Sequence, residues 1–424
     1  MLRAFVNAFK VPDLRNKILF TLFMVAVYRL GSHIPVPNVD ISRLADFQAQ
    51  ARSQGLSALQ FINLFSGGAL TNFAIFSLGI MPYITSSIIM QLLTVVIPRL
   101  EQWQKQGEIG IKKITQWTRY MTVTLALLQS TALVFLFHNQ FGVVRAFTPP
   151  RVALIVITMT AGTALIMWMG ELITQRGIGN GMSILIFTSV ISTMPAEGAA
   201  ILSQGGQAKF WFLLALGIGI ILAVVFMEQG QRRIPVQYAK RVVGRRMVGG
   251  QSTYIPLKVN QSGVIPIIFA SSVLYFPTLL QNAIQADWFQ NVVNNILLNQ
   301  ANVVYMLIYG LLVVFFAYFY TAITFNPIDT ADNIRKYGGF IPGIRPGRPT
   351  AEYLSAILNR ITLPGSLFLA TIALLPSVFL AIWAIQAFPF GGTSILITVG
   401  VALETMKQLE SQLMMRHYEG FLRS

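Results

Sequence analysis

The chain has 424 residues, 54% hydrophobic and only 11% charged, with a formal net charge of +16. So much apolar surface with so few charges excludes an ordinary soluble globular protein and points to a polytopic membrane protein. There is no cysteine, which excludes disulfides and thiolate metal sites, and the three histidines (His33, His138, His417) are too far apart in sequence to suggest a metal centre.

The N-terminus is basic at Arg3, Lys10, Arg15 and Lys17 and turns apolar at Ile18. No small-residue cleavage site follows, so a retained first span is expected over 17–34 and not a cleaved signal. A spanning helix needs about 20 apolar residues. Further stretches fit near 75–97, 117–137, 151–173, 181–195, 209–228, 260–280, 303–325, 361–383 and 391–410. The fifth and tenth of these are short or polar at one end. Between the first two lies FINLFSGGALTNF (61–73), apolar but broken by Gly67-Gly68 and too short to cross a bilayer. Leu59–Leu64 can form a helix of about two turns, too weak to stand alone in water. Gly67-Gly68 supplies a hinge.

Charge tests the ten-span count. With the N-terminus inside, the cytoplasmic segments hold 25 of the 31 lysines and arginines, and the outer segments six, including Arg29. This asymmetry is the positive-inside pattern. Arg119, Glu171 and Glu404 fall near span ends, so almost no charge sits mid-span. Ion-coupled carriers usually bury such a charge.

The second span of each half shares a signature. GIMPYITSSII (79–89) and GVIPIIFASSV (263–273) both read G-x-x-P-x-I, with Gly, Pro and Ile in step 184 residues apart, and a serine pair follows in each. Five spans per half is odd, so the second half enters from the opposite side. This predicts an inverted repeat with the functional path between the halves, 1–205 and 206–424. Glycine and proline there are expected to weaken the helix. GIGNGMSILIF (177–187) is only superficially a nucleotide loop, because no strand precedes it; a tight turn into a short helix is expected.

Two basic cytoplasmic segments follow. Gln231–Val259 has seven basic residues and no acid, and its glycines suggest a twisted hairpin. Asn326–Leu354 has rigid turns at Pro342-Gly343 and Pro346-Gly347 that would present Arg345 and Arg348 at a tip. Topology needs charge but not shaped arms. Docking of an anionic or acidic partner is expected, RNA of a large complex among the candidates.

FSGGAL, LGIMPYI, QLLTVVIP, TQRGIGNGMSI, QRRIPVQYAKR, QSTYIPLKVN, GVIPIIFASS, FNPIDTADN, FIPGIRPGRPT and FGGTSILI occur in order along essentially the whole chain. On these motifs the sequence resembles the SecY family, the central subunits of bacterial protein-conducting channels. The resemblance implies an all-α clamshell of two five-helix halves, hinged between spans 5 and 6 and opening sideways between spans 2 and 7. It implies an apolar pore ring at Ile80, Ile84, Met182, Ile186, Ile268 and Ile397, with methionine where the family commonly has isoleucine at 182. It implies a plug near 57–70, made by Leu59, Phe61, Ile62, Leu64, Phe65, Gly67 and Gly68, that folds back under the ring. A lateral gate would involve Thr85, Ser87 and Phe276, with Gln129 and Asn260 as polar latches. Ordinary interhelical hydrogen bonding explains these last two nearly as well.

The arms would then dock the ribosome and the motor SecA through Arg241, Arg245, Arg246, Arg345 and Arg348, with Ile328 standing where many relatives carry a charge. The implied partners are the small SecE and SecG membrane subunits, signal sequences, unfolded polypeptides and lipid. The implied location is the bacterial cytoplasmic membrane with both termini inside. No cofactor, ATP motif, nucleophile or catalytic pair is expected in this chain, so energy would come from a partner. Two other classes remain: an inverted-repeat solute carrier, which should show a polar midplane pocket, and a receptor without a pore.

Overall fold

The computed structural model describes residues 9, 11–40, 42–44, 63–144, 147–238, 241–243, 246–248, 252–280, 286–297, 299, 302–383 and 392–422. Helix α1 (Pro12–Gly31) has proline in its first turn, where a missing N–H costs nothing, and Asp13 and Arg29 placed to suit the helix dipole. Residues 63–80 then form one helical turn (63–66) and a series of tight turns. Helix α2 (Met81–Val96) breaks by 100° into α3 (Pro98–Lys105). Pro98 removes a helix donor and forces Ile97 into extended backbone, which accounts for the corner. Next come α4 (Glu108–Phe141), closed by left-handed Gly142, α5 (Pro149–Arg176) and α6 (Gly181–Gln229).

A small sheet and the second set of helices complete the chain. Strands β1 (Gln231–Tyr238), β2 (Arg241–Val243), β3 (Arg246–Val248) and β4 (Ser252–Lys258) precede α7 (Ile265–Leu280) and the short α8 (Asp287–Val292). Then follow α9 (Val303–Thr324), α10 (Pro327–Lys336), β5 (Gly339–Phe340), α11 (Arg348–Trp383) and α12 (Gly392–Leu422).

Among the described residues, five helices are long and apolar enough to cross a membrane, or six if α2 and α3 count as one broken span. Gly181–Ala196 and Ile265–Leu274 are shorter apolar helices. Several expected boundaries shift. The third span is 34 residues and the ninth 36, both running well beyond the apolar stretch, because nothing in their polar ends stops a helix. The second starts only at Met81, because left-handed Gly79 cannot continue a helix toward its N-terminal side.

The fifth and sixth spans are joined by helical backbone without a break. A straight 49-residue helix would be about 73 Å long. Both of its ends instead reach the same part of α12. Gly179 lies against Thr405, and Glu228 interacts electrostatically with Glu404 and Lys407. The segment therefore doubles back.

The repeated G-x-x-P motif proves to be a helix start in both copies. Gly79 (φ 56°) and Gly263 (φ 60°) are both left-handed, and Pro82 and Pro266 are each the second residue of their helix. The prolines therefore do not weaken a helix interior. They occupy the first turn, where the N–H has no partner anyway. The serines that follow bond within their own helices: Ser86 donates to Pro82 O, and Ser272 donates to Ile268 O.

Among the described residues, three large apolar clusters hold most of the helices, and a small one of Leu14, Ile18, Ile178 and Leu409 ties α1 to α12. One joins Phe73, Leu133, Phe137 and Met159 of the first half. Another joins Ile220, Phe269, Val313 and Leu369 of the second half, with Ile88 of α2. The third lies between them and is described below. α2 and α7 touch each other only sparsely.

The two basic segments form one body. The hairpin expected at 231–259 is present, with β1 antiparallel to β4 and β2 antiparallel to β3. β5 of the second arm adds to the free edge of β1. Ile234, Val236 and Leu257 of the first arm share an apolar core with Ile334, Ile341, Leu354 and Leu358 of the second. Asn326 caps α10, accepting from the amides of Ile328 and Asp329.

Candidate functional site

The third apolar cluster brings together six side chains from four places in the sequence. Ile80, Ile186, Ile268 and Ile397 are buried in it, and Ile84 and Met182 pack against it. Ile80 and Ile84 come from the start of α2, Met182 and Ile186 from the first turns of α6, Ile268 from the first turn of α7 and Ile397 from α12. The Asn180 side chain accepts from the Met182 and Ser183 amides and so sets the direction of α6. The expected tight turn before α6 is present, with Gly179 left-handed.

A cavity of about 450 Å³ opens directly over this cluster. Five of the six residues line it: Ile84, Met182, Ile186, Ile268 and Ile397. Its other wall is polar, with Tyr83, Gln91, Thr115, Arg119, Glu171 and Gln175. Arg119 and Glu171 form a bidentate pair, Nε–Oε1 2.7 Å and Nη2–Oε2 2.8 Å, with Gln116 accepting from Nη1 at 3.1 Å. Separately these charges are costly beside a membrane; paired and hydrogen-bonded they form a neutral polar wall. The pair was not foreseen. The available signal was opposite charge at the same-side ends of successive spans.

Below the cluster lies the stretch around Gly67-Gly68. Phe65 is fully buried in the cluster and Leu64 packs against it. Gly79 approaches so closely that a Cβ there would lie 2.8 Å from the Phe65 carbonyl oxygen. The helical turn here is 63–66, where a helix was expected over 59–64. Leu59, Phe61 and Ile62 lie outside the described residues. Gly67 and Gly68 are both left-handed (φ 63° and 86°), a conformation that glycine adopts without a steric penalty.

The expected gate residues do not assemble as one group. Ser87 lines the cavity, and Thr85 donates to Met81 O within α2. Gln129 is buried on α4, which packs on α2 and α5. Asn260 donates to Glu228 Oε1 (2.6 Å) and to Gly263 O (3.0 Å) and accepts from Ser262. Both donor hydrogens are spent inside the second half, so Asn260 does not bridge toward Gln129. The Phe276 side chain lies outside what is described.

On the body formed by the two basic segments, Arg345 is exposed between left-handed Gly343 and Gly347. Arg348 opens α11 and pairs with Glu352 (3.0 Å), an exposed contact worth little. Arg241 and Arg246 sit on the β2–β3 hairpin; their side chains, and Arg245 as a whole, lie outside the described residues. Ile328 is exposed in the first turn of α10.

This helical fold is shared with solved protein-conducting channels. A solved structure of such a channel superposes with a TM-score of 0.63, covering 95% of this chain and 96% of that one at 18% identity. A SecY structure described as showing how its plug domain maintains a membrane seal gives 0.62. Canine Sec61 in a ribosome–channel complex gives 0.59 at 16% identity.

The SecY family model matches residues 74–406, and the chain belongs to the SecY family of protein translocase subunits. The protein translocase subunit SecY of Streptomyces coelicolor is 57% identical over 440 residues, and that of Mycobacterium tuberculosis (strain ATCC 25618 / H37Rv) is 52% identical over 442. Both matches cover the whole of each chain.

Proposed function

We propose that this chain is the passive pore of a protein translocase, which passes unfolded secretory polypeptides across the bacterial cytoplasmic membrane. The observation that carries this reading is the convergence of Ile80, Ile84, Met182, Ile186, Ile268 and Ile397 beneath an open cavity. A narrow apolar constriction dewets and blocks ions. Its side chains offer no hydrogen bonds, so they yield around a passing chain without holding it. Methionine at 182 adds a flexible, adaptable member. A solute carrier would need a polar midplane pocket, whereas here the floor is aliphatic.

In this reading α1 and α12, the two short apolar helices, the bent pair and the five long helices make ten spans, in two inverted halves with both termini cytoplasmic. The paired helix starts at Gly79 and Gly263 support the inverted repeat. The sparse contact of α2 with α7 makes the seam through which an apolar segment can leave for lipid, gaining about 25 cal/mol per Å². The doubled-back α6 is the hinge. SecE- and SecG-like subunits would brace the halves, and SecA or the ribosome would dock on the cytoplasmic body; the likeness to Sec61 from a ribosome–channel complex supports a ribosome partner.

The deciding experiment is cross-linking of a stalled secretory chain to photoreactive side chains at 84 and 268. Labelling at both is expected; labelling nowhere around the ring would overturn the reading. Phe65 and Leu64 act as the plug. Deleting Leu59–Ser66 is expected to make the resting channel leak intermittently while export continues, measured as bilayer current and as secretion of a reporter. A silent current in that variant would remove the plug assignment.

A further inference from the structure

Arg29 is a cation at the outer end of a span, and the pore described above does not use it. It sits in the last turn of α1. Its Nη1 donates to the Gly67 carbonyl oxygen (2.8 Å) and to Ser192 Oγ of α6 (2.9 Å). The Ser192 hydroxyl itself lies 3.4 Å from the same carbonyl. Among the described residues no carboxylate pairs with Arg29. A partly buried guanidinium is costly, and here a backbone carbonyl and a hydroxyl are what answer its charge.

The carbonyl it holds belongs to the glycine corner. Gly67 and Gly68 are left-handed, and a Cβ on Gly67 would lie 3.0 Å from Ser189 Cα. Tyr28, the neighbour of Arg29, shares a 2.6 Å hydrogen bond with Ser189 Oγ. α1 and α6 therefore grip the corner from two sides. Two residues upstream, Phe65 is packed in the ring cluster.

We propose that Arg29 is a positioning residue for the closed state: it clamps the Gly67 carbonyl and so holds the Phe65 segment under the ring until an entering chain pulls it free. This rests on the channel reading above. Ser192 stays behind on α6 when the corner leaves. Opening therefore breaks one charge-assisted hydrogen bond and does not strand a bare cation, which makes the clamp reversible.

The test measures resting ion current of the reconstituted translocase carrying Arg29→Gln, Arg29→Lys or Ser192→Ala, each with and without deletion of Leu59–Ser66. Arg29→Gln is expected to raise the resting current at least about tenfold, the shift that one hydrogen bond from a charged donor represents. Arg29→Lys, which keeps a charged donor, is expected to restore most of the seal. In the deletion background Arg29→Gln should add nothing, because the held segment is gone. An unchanged current, or an effect undiminished by the deletion, would mean that Arg29 merely ties α1 to α6, and the proposal falls. Should Arg29→Gln fail to insert, Ser192→Ala decides: a smaller rise supports the clamp and none overturns it. Ile84→Asn in the same bilayers identifies which idea has failed. If it conducts while Arg29→Gln does not, only the clamp is wrong; if neither conducts, the channel reading goes with it.

Discussion

Ile84→Asn is expected to raise the resting ion current on the order of tenfold or more in planar bilayers. Ile84 packs against both the ring cluster and the apolar cluster of the second half, and it lines the cavity floor. An amide in that position would interrupt the aliphatic floor of the cavity. Leaving it dry would cost about 1–3 kcal/mol, so it recruits water instead. A wetted constriction no longer excludes ions. The fold should survive, because Ile84 is only partly buried and opens on the cavity. A current equal to that of the unsubstituted protein would move the constriction away from α2.

Arg345→Glu is expected to abolish motor-driven export while leaving the chain inserted and folded. Arg345 is exposed, its carbonyl accepts from Thr350 Oγ1 (2.8 Å), and the left-handed glycines at 343 and 347 fix the loop around it. The shared core under the two arms lies elsewhere, at Ile234, Leu257 and Leu354, so the substitution leaves packing intact. Losing a docked charge pair costs roughly 2–5 kcal/mol, or a loss of affinity from about 30-fold to a few thousandfold, and reversal adds repulsion. Export of a reporter and motor binding to membranes, each at two salt concentrations, measure this. Normal export would return the loop to a topological role. Arg348→Glu should do less, since Arg348 is already occupied by Glu352.

The six apolar residues that the cluster gathers were named through the family resemblance; the residue pattern alone marked only Ile84 and Ile268, as matching positions of the repeat. The Gly79 and Gly263 copies were visible as a repeat. Their conformation was not, and it reverses the meaning of the prolines: Pro82 and Pro266 begin helices and do not interrupt them. The hairpin in 231–259 followed from local turn chemistry. Its edge pairing with β5, about a hundred residues later, did not, because strand pairing carries no local signal. Asn260 shows the same limit. Its polarity in an apolar context marked it, but its partner is Glu228, a choice made by how α7 is set against α6.

Composition and the placement of lysine and arginine were enough to establish a membrane protein and to propose which loops face the cytoplasm, because both are set by transfer free energies that each segment feels separately. The contacts that join distant segments required the fold. Arg119 meets Glu171 across 52 residues, Arg29 reaches Gly67 and Ser192, and Phe65 enters the ring cluster. Each is a short-range interaction between residues remote in sequence, and side-chain chemistry acts over a few ångströms. It becomes specific only once packing has brought the helices together.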